Sequence, residues 1–362
     1  MELDREAGVV RRAAGPRATS LARRERVASA AVGDSSLTVK ADAEGMQRQF
    51  EQYRGELTAY CYRMLGSPFE AEDAVQDTFF RAWRGIDRFE GRSALRSWLY
   101  RIATNVSLDM LSGRERRARP MDLGPAQEPV LSNLRTLPEV TWIEPIPGSL
   151  VVRADADPAE LTVARETIRL AFVAALQHLP PRQRAALILC EVLRWQASEV
   201  AELLETSVAS VNSALQRARA TLAATDVSAA TTSSELDDAD RALLDRYVEA
   251  FEQYDMEALT LLIREDATQA MPPYDLWLQG RDDILTWWSG PGAGCRGSRV
   301  IPTTSANGSP TFAQYKQSPE GGYDAWALQV LELADGRIVD FLFFLDVERV
   351  FPLFGLPLRL DA

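Results

Sequence analysis

The chain has 362 residues, 46% of them hydrophobic and 25% charged, enough apolar material for two or three packed domains. Its formal net charge of −12 is segregated: residues 236–362 carry 21 acidic against 10 basic side chains, so the first 235 are close to neutral. Three scattered cysteines with no C-x-x-C spacing and a single histidine argue against a disulfide framework and a zinc site, and no apolar run approaches transmembrane length.

Residues 1–44, rich in Arg, Ala and Ser and without the apolar core of a signal peptide, read as a disordered N-terminal extension. The stretch Ser67 to Arg117 is the most informative. Ser67 suits an N-cap, Pro68 the first helical position and Glu70 the third position of a capping box. Val75, Phe79 and Ala82 then recur at helical spacing as a buried stripe, which leaves Asp73, Gln76, Asp77, Phe80, Arg81 and Arg84 to meet water or a partner. A second helix, roughly Leu95 to Leu111, interleaves Arg96, Trp98, Tyr100, Arg101, Thr104 and Asn105 and leads into the basic run Arg114, Arg116, Arg117. Aromatics beside cations are what stacking on unpaired bases requires.

Over these fifty residues the pattern AEDAVQDTFFRAW, followed by F-x-G-x-S-x-L-R-x-W-L-x-x-I-A-x-N, closely resembles region 2 of bacterial sigma-70 factors of the extracytoplasmic-function group. The resemblance assigns residues 45–118 to that module. It implies that Asp73, Gln76, Asp77, Phe80, Arg81 and Trp83 dock on RNA polymerase core, and that Arg92, Ser93, Arg96, Trp98, Arg101, Thr104, Asn105, Arg114, Arg116 and Arg117 engage the minus-10 element of promoter DNA.

Residues 119–158 carry seven prolines and no clear periodicity, which reads as a linker between separate domains. The resemblance implies that this linker threads through the polymerase cleft, with Trp142 to Pro147 the part expected to become ordered there. Asp157-Pro158-Ala159-Glu160 repeats the cap pattern and opens the next module, 159–224. Here a buried helix, Arg182 to Leu193, precedes two short helices joined by a turn at Glu205 and Thr206, with Val200, Leu203, Val211, Leu215 and Leu222 facing inward. This is helix-turn-helix spacing. Its wording, L-P-x-x-Q-R-A-x-L through S-V-x-S-A-L-x-R-A-R, resembles sigma region 4. Ser207, Ala209, Ser210, Asn212, Ser213 and Gln216 are small or amide-bearing groups suited to base edges of the minus-35 element, and Arg217 and Arg219 are suited to its phosphates. The lone His178 at a helix end reads as structural, and Cys61 and Cys190 as small apolar residues of a reducing cytoplasm.

After a short linker, 225–235, residues 236–362 change character. A long amphipathic helix (Leu243, Leu244, Tyr247, Val248, Phe251, Tyr254) leads through a short helix and a Trp-rich stretch to strands SRVIPTTSA, TFAQYKQ, YDAWALQVLEL and RIVDFLFFLDV. Asn307-Gly308 and Asp335-Gly336 are hairpin turn signals. Helices followed by a curved antiparallel sheet make an α+β cone. It resembles the SnoaL-like, nuclear-transport-factor-2-like domain fused to sigma-G and sigma-J type factors. Tyr274, Trp277, Trp287, Trp288 and Trp326, with Met271, are candidate pocket residues, against the alternative that they fill the core. The domain has no histidine, so any proton chemistry would fall to Asp275, Asp346, Tyr274 and Arg281.

The expected fold is therefore multidomain: two all-α sigma modules, then an α+β cone. The expected function is that of a sigma factor directing RNA polymerase core to promoters, without a cofactor, catalytic chemistry or a membrane partner, and modulated by its cone through intramolecular contact. Two other classes remain open at this point: a ligand-responsive one-component DNA-binding regulator, and a SnoaL-like enzyme with an accessory DNA module.

Overall fold

The computed structural model describes residues 45–86, 89, 94–151, 163–224 and 236–361. The chain divides into a unit ending at Gln52, of which residues 45–51 are helical, and a unit from Tyr53 to Ala362. The second unit opens with three helices: α1 (Arg54–Leu65), α2 (Pro68–Gly85) and α3 (Leu95–Leu111). Most of α1 is enclosed, so its polar groups need internal partners. Tyr60 Oη pairs with Thr104 Oγ1 at 2.8 Å, and Tyr62 Oη donates to the Glu144 carbonyl at 2.7 Å. Gly66, at φ +76°, ends α1 in the left-handed region, where a side chain would also press on Arg117 at 3.3 Å. Ser67 caps α2 as its sequence promises, accepting from the Glu70 amide at 3.4 Å. Glu70 does not close a capping box; it pairs with Arg114 at 2.7 Å and Arg117 at 3.1 Å.

The helix-turn-helix module follows as α4 (Leu170–Gln177), α5 (Pro181–Leu187), α6 (Ala197–Leu203) and α7 (Val208–Ala224). The single helix expected over Arg182 to Leu193 is broken in character: Ile188–Val192 widens to a π-turn. Arg184 is buried and donates through its terminal nitrogens to the carbonyls of Met64, Gln177 and Leu179, which ties α5 to α1.

The last third is built from α8 (Asp238–Gln253), α9 (Met256–Leu262), β1 (Ile263–Ala270), β2 (Trp277–Gln279), α10 (Arg281–Ser289), β3 (Arg299–Pro302), β4 (Thr311–Gln317), β5 (Tyr323–Ala334), β6 (Arg337–Phe344), α11 (Val347–Leu353) and β7 (Arg359–Leu360). The sheet order is β2-β1-β6-β5-β4-β3, with β7 on β5. It is not purely antiparallel, because β1 runs parallel to β6. Tyr247 and Phe251 from α8 and Trp287 and Trp288 from α10 pack into its concave side against Phe312, Leu331 and Phe341. Asp335-Gly336 makes the expected tight hairpin, both residues at positive φ. Asn307-Gly308 also has positive φ but lies in the longer loop between β3 and β4.

The proline-rich segment departs furthest from expectation. It is ordered over 119–151 and lies on its neighbours. Ala118 and Trp142 form a β-bridge, and Trp142, Ile143 and Ile146 are buried. Thr136 bridges Tyr274, and Leu137 N donates to Pro273 O at 3.0 Å. Periodicity was absent because the segment is held by isolated bridges and short 3₁₀ turns, which leave no repeating pattern. The cap pattern Asp157 to Glu160 lies outside the described residues.

Candidate nucleic-acid interface

α2 presents the surface that its spacing forecast. Ala71, Ala74, Val75, Thr78 and Ala82 are buried, while Asp73, Gln76, Arg81, Phe80 and Trp83 are exposed. Phe80 is 58% and Trp83 44% exposed, side by side on one apolar stretch of the helix surface. Asp77 and Asp109 hold Arg81 at 2.9 and 3.2 Å.

α3 is different, because α6 and the turn before it lie across it. Arg101 pairs with Glu202 at 3.1 Å, and the Arg96 guanidinium sits over the Trp195 ring at 5.5 Å while Glu56 holds it at 2.8 Å. The Tyr100 and Trp195 rings meet edge to face at 5.2 Å. Asn105 stays exposed, and Trp98 is half-buried against the Phe89 ring at 4.9 Å. Two of the expected base- or phosphate-contacting residues are enclosed. Thr104 is fully buried, donating to the Tyr100 carbonyl at 2.7 Å and pairing with Tyr60. Arg117 is 5% exposed, bound to the Trp142 and Glu139 carbonyls and to Glu70 and Glu144. Helical spacing does place Thr104 on the buried stripe of Tyr100, Ala103 and Ser107, whereas Arg117 faces inward only through partners distant in the chain. Arg116 reaches the His178 ring nitrogens at 2.6 and 2.7 Å. Desolvation and then the Arg116 charge lower the His178 pKa, so the imidazole is neutral and structural. Arg92 and Ser93 lie outside the described residues.

On α7 the expected set is exposed without exception: Ser207, Ala209, Ser210, Asn212, Ser213, Gln216, Arg217 and Arg219. Ser207 Oγ accepts from Ser210 N at 3.1 Å and thereby caps the helix. Val211, Leu215 and Ala218 anchor the opposite face. Glu205, at φ +52°, makes the turn between α6 and α7.

A central contact between the cone and the helical modules is made by a residue that the sequence marks only as a turn former. Asn307 is fully buried; its Nδ2 donates to Tyr62 Oη at 2.8 Å and to the Ile168 carbonyl at 2.7 Å, and its Oδ1 accepts from Ile146 N at 3.0 Å. One side chain thus ties α1, the proline-rich segment and the chain before α4 to the sheet. Glu332 adds an ion pair with Arg169 and accepts from Ser309 Oγ at 2.7 Å.

Within the cone a cavity of about 240 Å³ is lined by Tyr274, Trp287, Trp288 and Trp326, as expected. Trp277 is not among them. Its indole N–H donates to the Gly124 carbonyl at 2.9 Å, outside the cavity. The expected carboxylate set is dispersed: Asp275 pairs with Arg135 at 2.8 Å, Asp346 meets Arg349 at 3.5 Å, and Arg281 points to the Thr260 carbonyl at 3.5 Å. Among the described residues, no carboxylate or histidine side chain lines the cavity. Among the described residues, no group of three or more His, Cys, Asp or Glu side chains could hold a metal, and no helix is long and apolar enough to cross a membrane.

Comparisons with known proteins agree with this architecture. Residues 49–117 match the sigma-70 region 2 family, 169–222 sigma-70 region 4, and 244–341 the SnoaL-like domain. The chain is 45% identical over 310 residues to the ECF RNA polymerase sigma factor SigG of Mycobacterium tuberculosis (strain ATCC 25618 / H37Rv), covering 85% of this chain and 82% of that protein. It is 29% identical over 221 residues to SigJ of the same strain, covering 61% of this chain and 62% of SigJ. The crystal structure of M. tuberculosis SigJ superposes with a TM-score of 0.54 at 21% identity, over 86% of this chain and 99% of that one, which shows a shared fold. With both DNA-recognition modules in order ahead of a SnoaL-like cone, and with that identity over most of both chains, the protein belongs to the extracytoplasmic-function sigma factors of the sigma-70 family.

Proposed function

We propose that this sigma factor docks on RNA polymerase core through the open α2 face and reads promoters only after α6 has left α3. Asp73, Gln76, Phe80, Arg81 and Trp83 form the docking surface; Asn105, Trp98, Arg96 and Arg101, with Arg114 and Arg116, engage the minus-10 strand; the exposed α7 face reads the minus-35 duplex. The observation that carries this reading is the pairing of Arg101 with Glu202 and the stacking of Arg96 on Trp195, which occupy cations of α3 with groups from the other DNA-binding module. Glu202 stands where a phosphate would. Core binding supplies the free energy to part the modules, and the exposed Arg96, Arg101, Trp98 and Asn105 then hold a flipped base, whose unstacking costs a few kcal/mol against about 1–3 kcal/mol of stacking per base. The cone, holding α1 and the chain before α4 through Asn307, sets how readily that opening occurs.

Run-off transcription with purified core polymerase on a promoter library tests this. Asn105→Ala is expected to abolish specific initiation. Truncation at Asp226 is expected to change its strength without changing promoter choice. Initiation that is indifferent to Asn105, or tight promoter-independent DNA binding by the free protein as a dimer, would overturn the reading in favour of a one-component regulator.

A further inference from the structure

The cavity in the cone is more than leftover space between aromatic rings. Its floor carries Gln269 on β1, 1% exposed, whose Oε1 accepts the Trp288 indole N–H at 2.7 Å and whose Nε2 has no hydrogen-bond partner. A buried amide donor left unpaired is costly, and such a group facing a cavity marks a place where a ligand acceptor belongs. The neighbouring amides do not share this condition. Gln329 Nε2 donates to Gln314 Oε1 at 2.9 Å, Gln314 Nε2 to Ser298 Oγ at 3.0 Å, and Tyr247 Oη to Gln329 Oε1 at 2.8 Å. That chain is satisfied, and Gln269 alone is left with its donor free.

The walls are flat and apolar: Phe251, Met271, Trp287, Trp288 and Phe343. Among the described residues the lining holds no acidic side chain and one formal cation, Lys316, which sits at the rim over the ring of the 40%-exposed Trp326, 3.2 Å from its centroid. A cationic ligand finds no counter-charge there. An anionic one would have to be buried deep against a single neutral amide, which is unfavourable. At about 240 Å³ the space falls below the range of drug-sized pockets, so the occupant is small.

One edge of the mouth is formed by a different module. Leu131 and Leu134, from the proline-rich segment between the two sigma modules, line the cavity. The strap that carries them is pinned on both sides. Gln127 N donates to Trp277 O at 3.0 Å, Asp275 N to Arg135 O at 3.0 Å, and Leu137 N to Pro273 O at 3.0 Å, with the Arg135 side chain on Asp275 at 2.8 Å.

We infer that the cone is a binding site for a small, neutral, planar aromatic compound bearing a carbonyl acceptor, seated against Trp287 and Trp288 with its carbonyl on Gln269 Nε2, and that the occupant packs against Leu131 and Leu134 and so holds the strap on the cone. A ligand that touches the strap only when it is seated favours that arrangement by its differential affinity for it. The site goes beyond the promoter-reading role and is read out by binding and amide exchange, so it stands or falls separately from it.

Titration calorimetry of the full chain with 2-acetylnaphthalene, naphthalene and 2-naphthoate tests the chemistry. One-to-one binding of the ketone, at least tenfold tighter than the hydrocarbon and tighter than the acid, is expected, a ratio that one hydrogen bond to an otherwise unpaired donor supplies. Gln269→Met keeps a weak acceptor for Trp288 in its thioether sulfur but removes the donor, and Gln269→Leu removes both. Each is expected to bring the ketone down to the affinity of naphthalene. Because the ketone-to-hydrocarbon ratio is measured on the unaltered protein, the result does not depend on either variant folding. No saturable binding, equal affinity for ketone and hydrocarbon, or a preference for 2-naphthoate would overturn the assignment, the last by pointing to Lys316 as the recognising group. Hydrogen–deuterium exchange tests the strap: with ketone bound, the amides of Gln127 and Leu137 are expected to exchange at least threefold more slowly, and unchanged exchange would remove the strap from the proposal.

Discussion

Asn307 shows how much one side chain can carry. Its amide satisfies groups on Tyr62, Ile146 and Ile168, and Asn307→Ala would leave the buried Ile146 N–H and Ile168 carbonyl without that partner, while Tyr62 keeps its bond to the Glu144 carbonyl. A loss of about 2–3 kcal/mol is expected, measured by urea unfolding followed at the tryptophans. Asp340 offers a second test at this scale. Burial, the largest cause, pushes its carboxyl from 3.8 up to about 6, despite the hydrogen bond from Thr268 Oγ1 at 2.5 Å. Because the folded pKa lies above the unfolded one, the native state binds more protons between about pH 4 and 6; stability therefore falls as pH rises through that window, and the cost is complete above it. Asp340→Asn still accepts from Thr268 without the charge. It is expected to match wild type at pH 4 and to exceed it by roughly 1–2 kcal/mol at pH 7.5, as read from paired denaturation curves. Nothing in the sequence distinguishes this aspartate from the solvated ones beside it. Its burial depends on β1 lying parallel to β6, a pairing between segments about seventy residues apart.

Among the elements, the helices were the most legible. α2 declares itself through Ser67, Pro68 and a buried stripe, and α7 through Val211 and Leu215 beneath an exposed row of small and amide side chains. That row makes a specific forecast. Asn212→Ala is expected to cost about 1–3 kcal/mol on the preferred minus-35 sequence and to relax base preference at one position, whereas Arg217→Ala should weaken all sequences alike and lower the salt slope by about one. Binding of region-4 promoter duplexes across a salt series, in the presence of core polymerase, separates the two. The strands were less legible. β1 and β2 escaped notice because IREDATQA is polar at several positions, and its burial comes from the flanking β2 and β6 instead of its own alternation. The proline-rich segment escaped altogether as structure, since what orders it is a set of single bridges to Tyr274, Trp277 and Gly66.

At the scale of the molecule, the two sigma modules and the cone pack as one unit, with α3 and α6 face to face. The Arg101–Glu202 pair is partly exposed, and an exposed pair is worth roughly 0.5 kcal/mol. Glu202→Gln is accordingly expected to raise the affinity of the free protein for a single-stranded minus-10 oligonucleotide by about two- to threefold, measured by fluorescence anisotropy, without altering minus-35 binding. Combining it with Asn307→Ala should add further, because the two sites share no partner.

Sequence alone determined the order of the modules, the helices that build them and the exposed faces of α2 and α7, because those depend on local capping and on hydrophobic periods of a few residues. It also carried the family, through two long motifs in the right order and spacing. The enclosure of Arg117, the docking of the proline-rich strap, the clamp at Asn307, the unpaired amide of Gln269 and the covering of α3 by α6 were decided only by tertiary structure. Each is a contact between residues far apart in the chain, and burial at such a contact is set by what the partner surface presents, which no local pattern encodes.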